Sequence, residues 1–188
     1  MPLTSRGKNR SKNHSTFFSR FSIFIPQKNY MHTNFFKMLL LLCLTQQAFS
    51  QKATTRYIQK YVPVSQQLSS EFGIPVSIIL GVAIHESASG RSLNCRQLNN
   101  HFGVKGKNQL KKRKTKYKQY LTAEDSFRDF CKIISRKKFY PALKHKDDYH
   151  KWLTEMNKYK YAGAKQSWIN TIGKIIRQYK LESYNMKY

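Results

Sequence analysis

Glu86 is one of nine acidic residues in a chain of 188 that carries 35 Lys plus Arg, and it stands at the end of the greasiest stretch, "SIILGVAIHESASGRS" (Ser77–Ser92). Ile79, Val82, Ala83 and Glu86 fall at i, i+3, i+4 and i+7, so a helix here puts the carboxyl on the face of its apolar residues. Burial disfavours an ionised carboxyl. A carboxyl that keeps its proton near neutral pH can serve as a general acid, and cleavage of a glycosidic bond needs one beside the leaving oxygen. The plain alternative is a helix-end glutamate that hydrogen-bonds the Ser/Gly turn after it.

Several elements must position that carboxyl. "RYIQKYVPVSQQLSSEFG" sets Ile58, Tyr61, Val62, Leu68 and Phe72 near helical spacing, with Pro63 as a kink or a fresh start and Gly73 as the stop. Pro75 opens the next helix, where first-turn amides are unpaired anyway, and Ser87 to Gly90 ends it. From Asn99 to Tyr120 the helical period is lost. "NNHFGVKG" is turn-rich and "KKRKTKYKQYL" alternates around Thr115, Tyr117 and Tyr120, which predicts an irregular lobe with at most a short hairpin. Thr122 and Asp125 have capping-box spacing, followed by a stripe of Phe127, Phe130, Cys131 and Ile134. A short helix over Tyr149–Asn157 and a last one carrying Trp168, Ile172, Ile175, Ile176 and Tyr179 complete one mainly helical domain, 51–188.

Residues 1–50 read differently, with seven basic residues and no acid. "MHTNFFK", "MLLLLCL" and "TQQAFS" (Met31–Ser50) form a polar start, an apolar core and a small-residue cleavage site, the pattern of a secretory signal peptide cut after Ser50. Met31 fits the natural start. The core falls short of the roughly 20 residues that span a bilayer, so no stable membrane insertion is expected after cleavage. Lipid attachment at Cys43 is the alternative, but "LLLC" lacks the small residues usual before a lipidated cysteine.

The chain's formal charge is +26, which points to a polyanionic partner, and secretion turns that from nucleic acid towards an envelope polymer. Tyr117 and Tyr120 among the lysines would suit base stacking, for which a secreted chain has little occasion. The basic run Lys111–Lys118 either grips anionic polymer or protects a solvated hairpin edge. Cys95 and Cys131 either pair outside the cytoplasm or stay as buried thiols. His85, His101, His145 and His150 lack metal-ligand spacing, and no metal or cofactor is expected.

"LGVAIHESASGRS", "NNHFGVKG", "YLTAEDSFRDFCKII" and "YKYAGAKQSWINTIGKIIRQY", in that order, resemble glycoside hydrolase family 73, the bacterial peptidoglycan N-acetylglucosaminidases of flagellar and autolysin type. The resemblance covers about Tyr57 to Tyr184. It implies a lysozyme-like α fold with a small irregular β lobe and a substrate cleft between them. It implies action on peptidoglycan, outside the cell or in its envelope, at the GlcNAc-β-1,4-MurNAc bond; a monomer is expected. On this pattern Glu86 matches the catalytic acid, and Asn99, Asn100, Phe102 and Gly103 match the segment shaping the cleft floor, with Phe102 also readable as a core residue. Tyr161 matches the tyrosine that lines the site and positions the acetamido group or a water.

Three departures stand out. Gly163-Ala164-Lys165 replaces Thr-Asp-Pro. His85 replaces an apolar or amide residue and reads as a core histidine or an influence on Glu86. Lys105 to Leu121 has no acid where many members place a second carboxylate. The nearest, Glu124 and Asp125, serve either as that group or as a helix cap. Without either, the substrate's 2-acetamido group supplies the nucleophile, or the fold is a non-catalytic peptidoglycan-binding module. A lytic transglycosylase shares the fold and the single glutamate.

Overall fold

A computed structural model describes residues 29–111, 114–159 and 166–187, and for 29–33 and 42–50 the backbone alone. The chain divides into two units, Met1–Leu42 and Cys43–Tyr188. In the first, Phe35, Phe36 and Met38 to Leu41 are exposed. Among the described residues no helix is long and apolar enough to cross a membrane.

The second unit is built around one helix. Seven helices occur among the described residues: α1 (Asn29–Phe72), α2 (Val76–Ser87), α3 (Leu93–Leu98), α4 (Ala123–Ser135), α5 (Tyr140–Leu143), α6 (Tyr149–Lys158) and α7 (Gln166–Gln178), with a 3-10 turn over Leu181–Tyr184. From Val76 to Ile84 every residue of α2 is buried, so it is the core's axis rather than an amphipathic surface helix. Gly81 is what lets α7 reach it. A Cβ there would lie 3.0 Å from Ile176 Cγ1 and 3.1 Å from Ile172 Cγ2. Pro75 offers no side-chain cap, and the first-turn amide of Ser77 instead donates to Asn185 Oδ1 at 2.9 Å, so Asn185 closes the start of α2.

The expected helices over Tyr57–Phe72, 123–135 and 166–178 are present. Pro63 neither breaks nor restarts α1. The carbonyl its missing N–H would have engaged belongs to Gln59, an exposed residue where water can replace the bond. Thr122 and Asp125 form the capping box, and Phe127, Phe130, Cys131 and Ile134 are buried. α3 escaped the sequence reading because six residues show no period; Ser92 caps it by accepting from the Cys95 amide at 3.2 Å.

The lobe is more irregular than sheet-like. Among the described residues its pairing amounts to one antiparallel bridge, Lys105 to Tyr117, with backbone bonds from Gly106 to Lys116 (2.9 Å) and from Lys118 to Val104 (2.8 Å). Both Cys95 and Cys131 are free and buried. Cys131 lies in the core stripe of α4, where burial pushes its thiol well above the ordinary value.

Candidate active site

Glu86 is the penultimate residue of α2 and is half-buried. Its Oε1 accepts a hydrogen bond from Trp168 Nε1 at 3.0 Å. Trp168 occupies the first turn of α7 with only 8% of its surface exposed, and a buried indole N–H needs an acceptor. The same apolar packing that sets α7 on Gly81 therefore fixes one carboxylate oxygen. The other faces Gly103: a Cβ on Gly103 would sit 3.6 Å from Glu86 Oε2 and 3.9 Å from Tyr117 Cε1. Gly103 has φ +66°, a left-handed conformation that any side chain would strain. Carboxylate and phenol ring edge border one space kept open by a glycine.

After Glu86 the backbone turns away through Ala88 (φ 50°), Ser89 (55°) and Gly90 (81°), three successive left-handed residues. Ser87 secures this corner, donating to Ala83 O at 2.6 Å and accepting from the Gly90 amide at 2.8 Å. His85 is half-buried at the surface end of α2, rather than within the core.

The segment 99–103 builds the lobe from inside. Asn99, left-handed at φ 51°, donates through Nδ2 to Tyr120 O (3.2 Å) and Leu121 O (2.8 Å). Asn100 donates to Val104 O (2.8 Å) and Lys118 O (2.7 Å), and its Oδ1 accepts from the Val104 amide at 3.1 Å. Both amide donors are thus spent on backbone, shaping the floor rather than pointing at a ligand. Phe102 is core: it stacks on Phe130 at 4.2 Å and meets Phe127 edge-on at 4.9 Å.

His101 was dismissed as a ligand and turns out to be a joint. Its Nδ1 lies 2.6 Å from Tyr57 Oη and its Nε2 3.4 Å from Cys95 Sγ, while its backbone amide donates to Ser126 Oγ at 3.0 Å. Burial, helped by the Lys60 charge, lowers the imidazole to about 4, so the ring is neutral at neutral pH. A neutral ring has one donor and one acceptor, which fits a phenol on one side and a thiol on the other. Burial likewise pushes Cys95 up to about 11, keeping it a thiol.

Two of the acids near the lobe, Asp125 and Asp129, hold structure. Asp125 accepts from the Thr122 amide at 3.0 Å as the cap of α4, and both it and Glu124 are exposed. Asp129 accepts from Lys118 Nζ and from Tyr120 Oη, each at 2.7 Å. Burial would raise that carboxyl, but these two hydrogen bonds and the charges of Lys118 and Lys132 outweigh it and hold it below the ordinary aspartate value. Tyr161 lies outside the described residues. Among the described residues no group of three or more His, Cys, Asp or Glu could hold a metal ion.

Sequence reasoning missed Trp168 as the partner of the glutamate and Tyr117 as its neighbour across Gly103. A signal existed for Trp168: an indole at the polar end of an otherwise isoleucine stripe, in a protein whose apolar helix ends in an unpaired carboxylate.

Comparison with known proteins gives the family and the fold. Residues 62–181 match the family model described as glucosaminidase, mannosyl-glycoprotein endo-beta-N-acetylglucosaminidase. The catalytic domain of the autolysin Auto from Listeria monocytogenes superposes with a TM-score of 0.58 at 16% identity, over 70% of this chain and 87% of that one. The glycoside hydrolase domain of Salmonella typhimurium FlgJ gives 0.54 at 20% identity, over 69% and 90%. A peptidoglycan hydrolase from Sphingomonas sp. A1 gives 0.55 at 16% identity, over 69% and 91%. At such identities the likeness establishes a shared fold. No curated protein sequence matches the chain.

Proposed function

The chain belongs to the glucosaminidase family of glycoside hydrolases, and from that premise we propose that it hydrolyses the GlcNAc-β-1,4-MurNAc bond of peptidoglycan with Glu86 as general acid. The observation that carries this is the carboxylate itself. It is half-buried, fixed through one oxygen by the Trp168 indole, and open through the other to the space over Gly103. A general acid has to be held at the leaving oxygen while keeping one oxygen free to pass the proton, and this geometry does both.

An autolysin, a glycoside hydrolase domain and a peptidoglycan hydrolase share the fold, which supports the substrate class. Beyond residue 50 the chain keeps 28 Lys plus Arg (35 less seven) against nine acids, about +19, which suits an anionic wall polymer. The leader-like segment before Gln51 supports action outside the cytoplasm, with residues 1–50 as signal segment and the rest as the working enzyme. Tyr161 lies outside the described residues, and its place in the lining of the site rests on the family resemblance alone. Asp125 is committed to capping, which argues against it as a second carboxylate.

The test is mass spectrometry of soluble products from purified sacculi incubated with the full chain, beside Glu86→Gln. Wild type is expected to release fragments ending in reducing GlcNAc. The variant is expected to lose about a hundredfold or more in rate, the usual contribution of a positioned general acid. Equal digestion by both would remove Glu86 from the mechanism. Non-reducing 1,6-anhydro-MurNAc ends would make the enzyme a transglycosylase instead.

One observation favours a second reading. The lobe from Lys105 to Leu121 has no acid, as expected of a binding module that has lost its chemistry. That reading requires salt-sensitive sedimentation with sacculi and no new sugar ends from wild type.

A further inference from the structure

The acid-free lobe still presents one group to Glu86. Tyr117 is held in place by its bridge to Lys105 and by Asn108 Nδ2, which donates to its carbonyl at 2.9 Å. Its ring edge and Glu86 Oε2 border the same space over Gly103, at 3.9 Å and 3.6 Å from the point where a Cβ would stand. The side chain is half-buried, and among the described residues its hydroxyl has no hydrogen-bond partner. A phenol with a fixed backbone, a free hydroxyl and a carboxylate across a glycine is built to touch what enters between them.

We propose that the Tyr117 hydroxyl holds the 2-acetamido group of the GlcNAc whose bond is broken, so that the substrate supplies the nucleophile the lobe lacks. This rests on the hydrolase reading above. The chemistry balances without a second carboxylate. The acetamido carbonyl oxygen forms a bond to C1 as the bond from C1 to the leaving oxygen breaks, and that oxygen takes the proton from Glu86. The resulting oxazolinium ion is opened by water, whose proton returns to Glu86. A flexible acetamide attacks efficiently only when held near its line of approach. A neutral phenol suits that task, since it can donate to the carbonyl or accept from the amide N–H and carries no charge to compete with Glu86.

The experiment compares the full-chain wild type with Tyr117→Phe and Tyr117→Ala, using steady-state release of reducing ends from sacculi. Thermal unfolding checks that each variant is folded. Tyr117→Phe should lower kcat about fivefold to tenfold, the rate equivalent of one neutral hydrogen bond, with KM and Tm unchanged. Tyr117→Ala should lose at least as much. A thiazoline derived from GlcNAc mimics the cyclised sugar; it should inhibit wild type, with an inhibition constant that rises in Tyr117→Phe by the factor lost from kcat. Wild-type kcat in Tyr117→Phe, a loss confined to KM, or thiazoline that fails to inhibit wild type or inhibits both equally would each overturn the assignment. A wild type that releases no GlcNAc ends would instead bring down the hydrolase reading on which it stands.

Discussion

On one side of Glu86, α7 clamps α2 through Ile172 and Ile176 packed on Gly81, an apolar seam that ends in the Trp168 indole bonded to the carboxylate. On the other, residues 99–121 are held by two asparagine amides, a Lys–Asp pair and a neutral buried imidazole. The helical side places its carboxylate by volume, which is indifferent to pH and salt. The lobe places Gly103 and Tyr117 by directed polar contacts, each of which responds to pH, salt or the loss of one atom. The contrast explains how a lobe with a single bridge can still present a defined surface to the acid.

The comparison breaks most visibly on the apolar side. Ile172→Ala removes packing at the closest approach of α2 and α7, and should cost about 2 to 5 kcal/mol of stability by denaturant unfolding. If the clamp holds Glu86 by volume, activity per folded molecule should fall as well; a variant that is merely less stable at full activity would show that Trp168 alone sets the carboxylate.

The next effect separates the two sides by pH. His101 has its folded value lowered to about 4 from an ordinary 6.5, because burial penalises the cation. The unfolded chain therefore takes up that proton first as pH falls. This joint's stability is complete above about pH 6.5, declines towards pH 4 and levels off below it, by about 3 kcal/mol across the window. Lys60 and Glu124 are the charges that act on the ring. Urea unfolding at several pH values should show the decline in wild type and a flatter profile in His101→Gln; parallel profiles would place the pH response elsewhere. Asp129 acts in a lower window. Its depressed carboxyl contributes stability above the ordinary aspartate value and loses it as pH falls through the folded one.

The smallest effect concerns the lobe's outer pair. Lys118 and Asp129 meet at 2.7 Å but are partly exposed. Lys118→Gln should cost less than about 1 kcal/mol, and added salt should shrink the difference. A larger loss would mean that the pair, rather than Asn100, fastens the lobe.

How much of this could be read from the sequence follows from how local each feature is. The capping box of α4 lies within four residues, and its buried stripe recurs at helical spacing, so both were legible. So was the position of Glu86 at the end of an apolar helix, which the spacing within α2 fixes by itself. The groups that act on Glu86 were not. Trp168 lies 82 residues away and Tyr57 reaches His101 across 44, and no periodicity encodes such meetings. The turn-rich character of the "NNHFG" segment was legible, yet the work of its asparagines in holding carbonyls 18 to 22 residues on becomes visible only once the chain has turned back.

The corner after Glu86 sets a limit on improving this protein. Ala88 and Ser89 hold left-handed backbone that side chains resist by about 1 to 2 kcal/mol each, so the fold gives up heat tolerance at the spot where its acid is mounted. Glycine there would relieve that strain and also loosen the turn in which Gly90 bonds to Ser87. Selection for thermal hardiness and selection for turnover therefore pull this corner in opposite directions. A more robust version of the enzyme is better sought in the α4–α6 layer, remote in sequence from the acid.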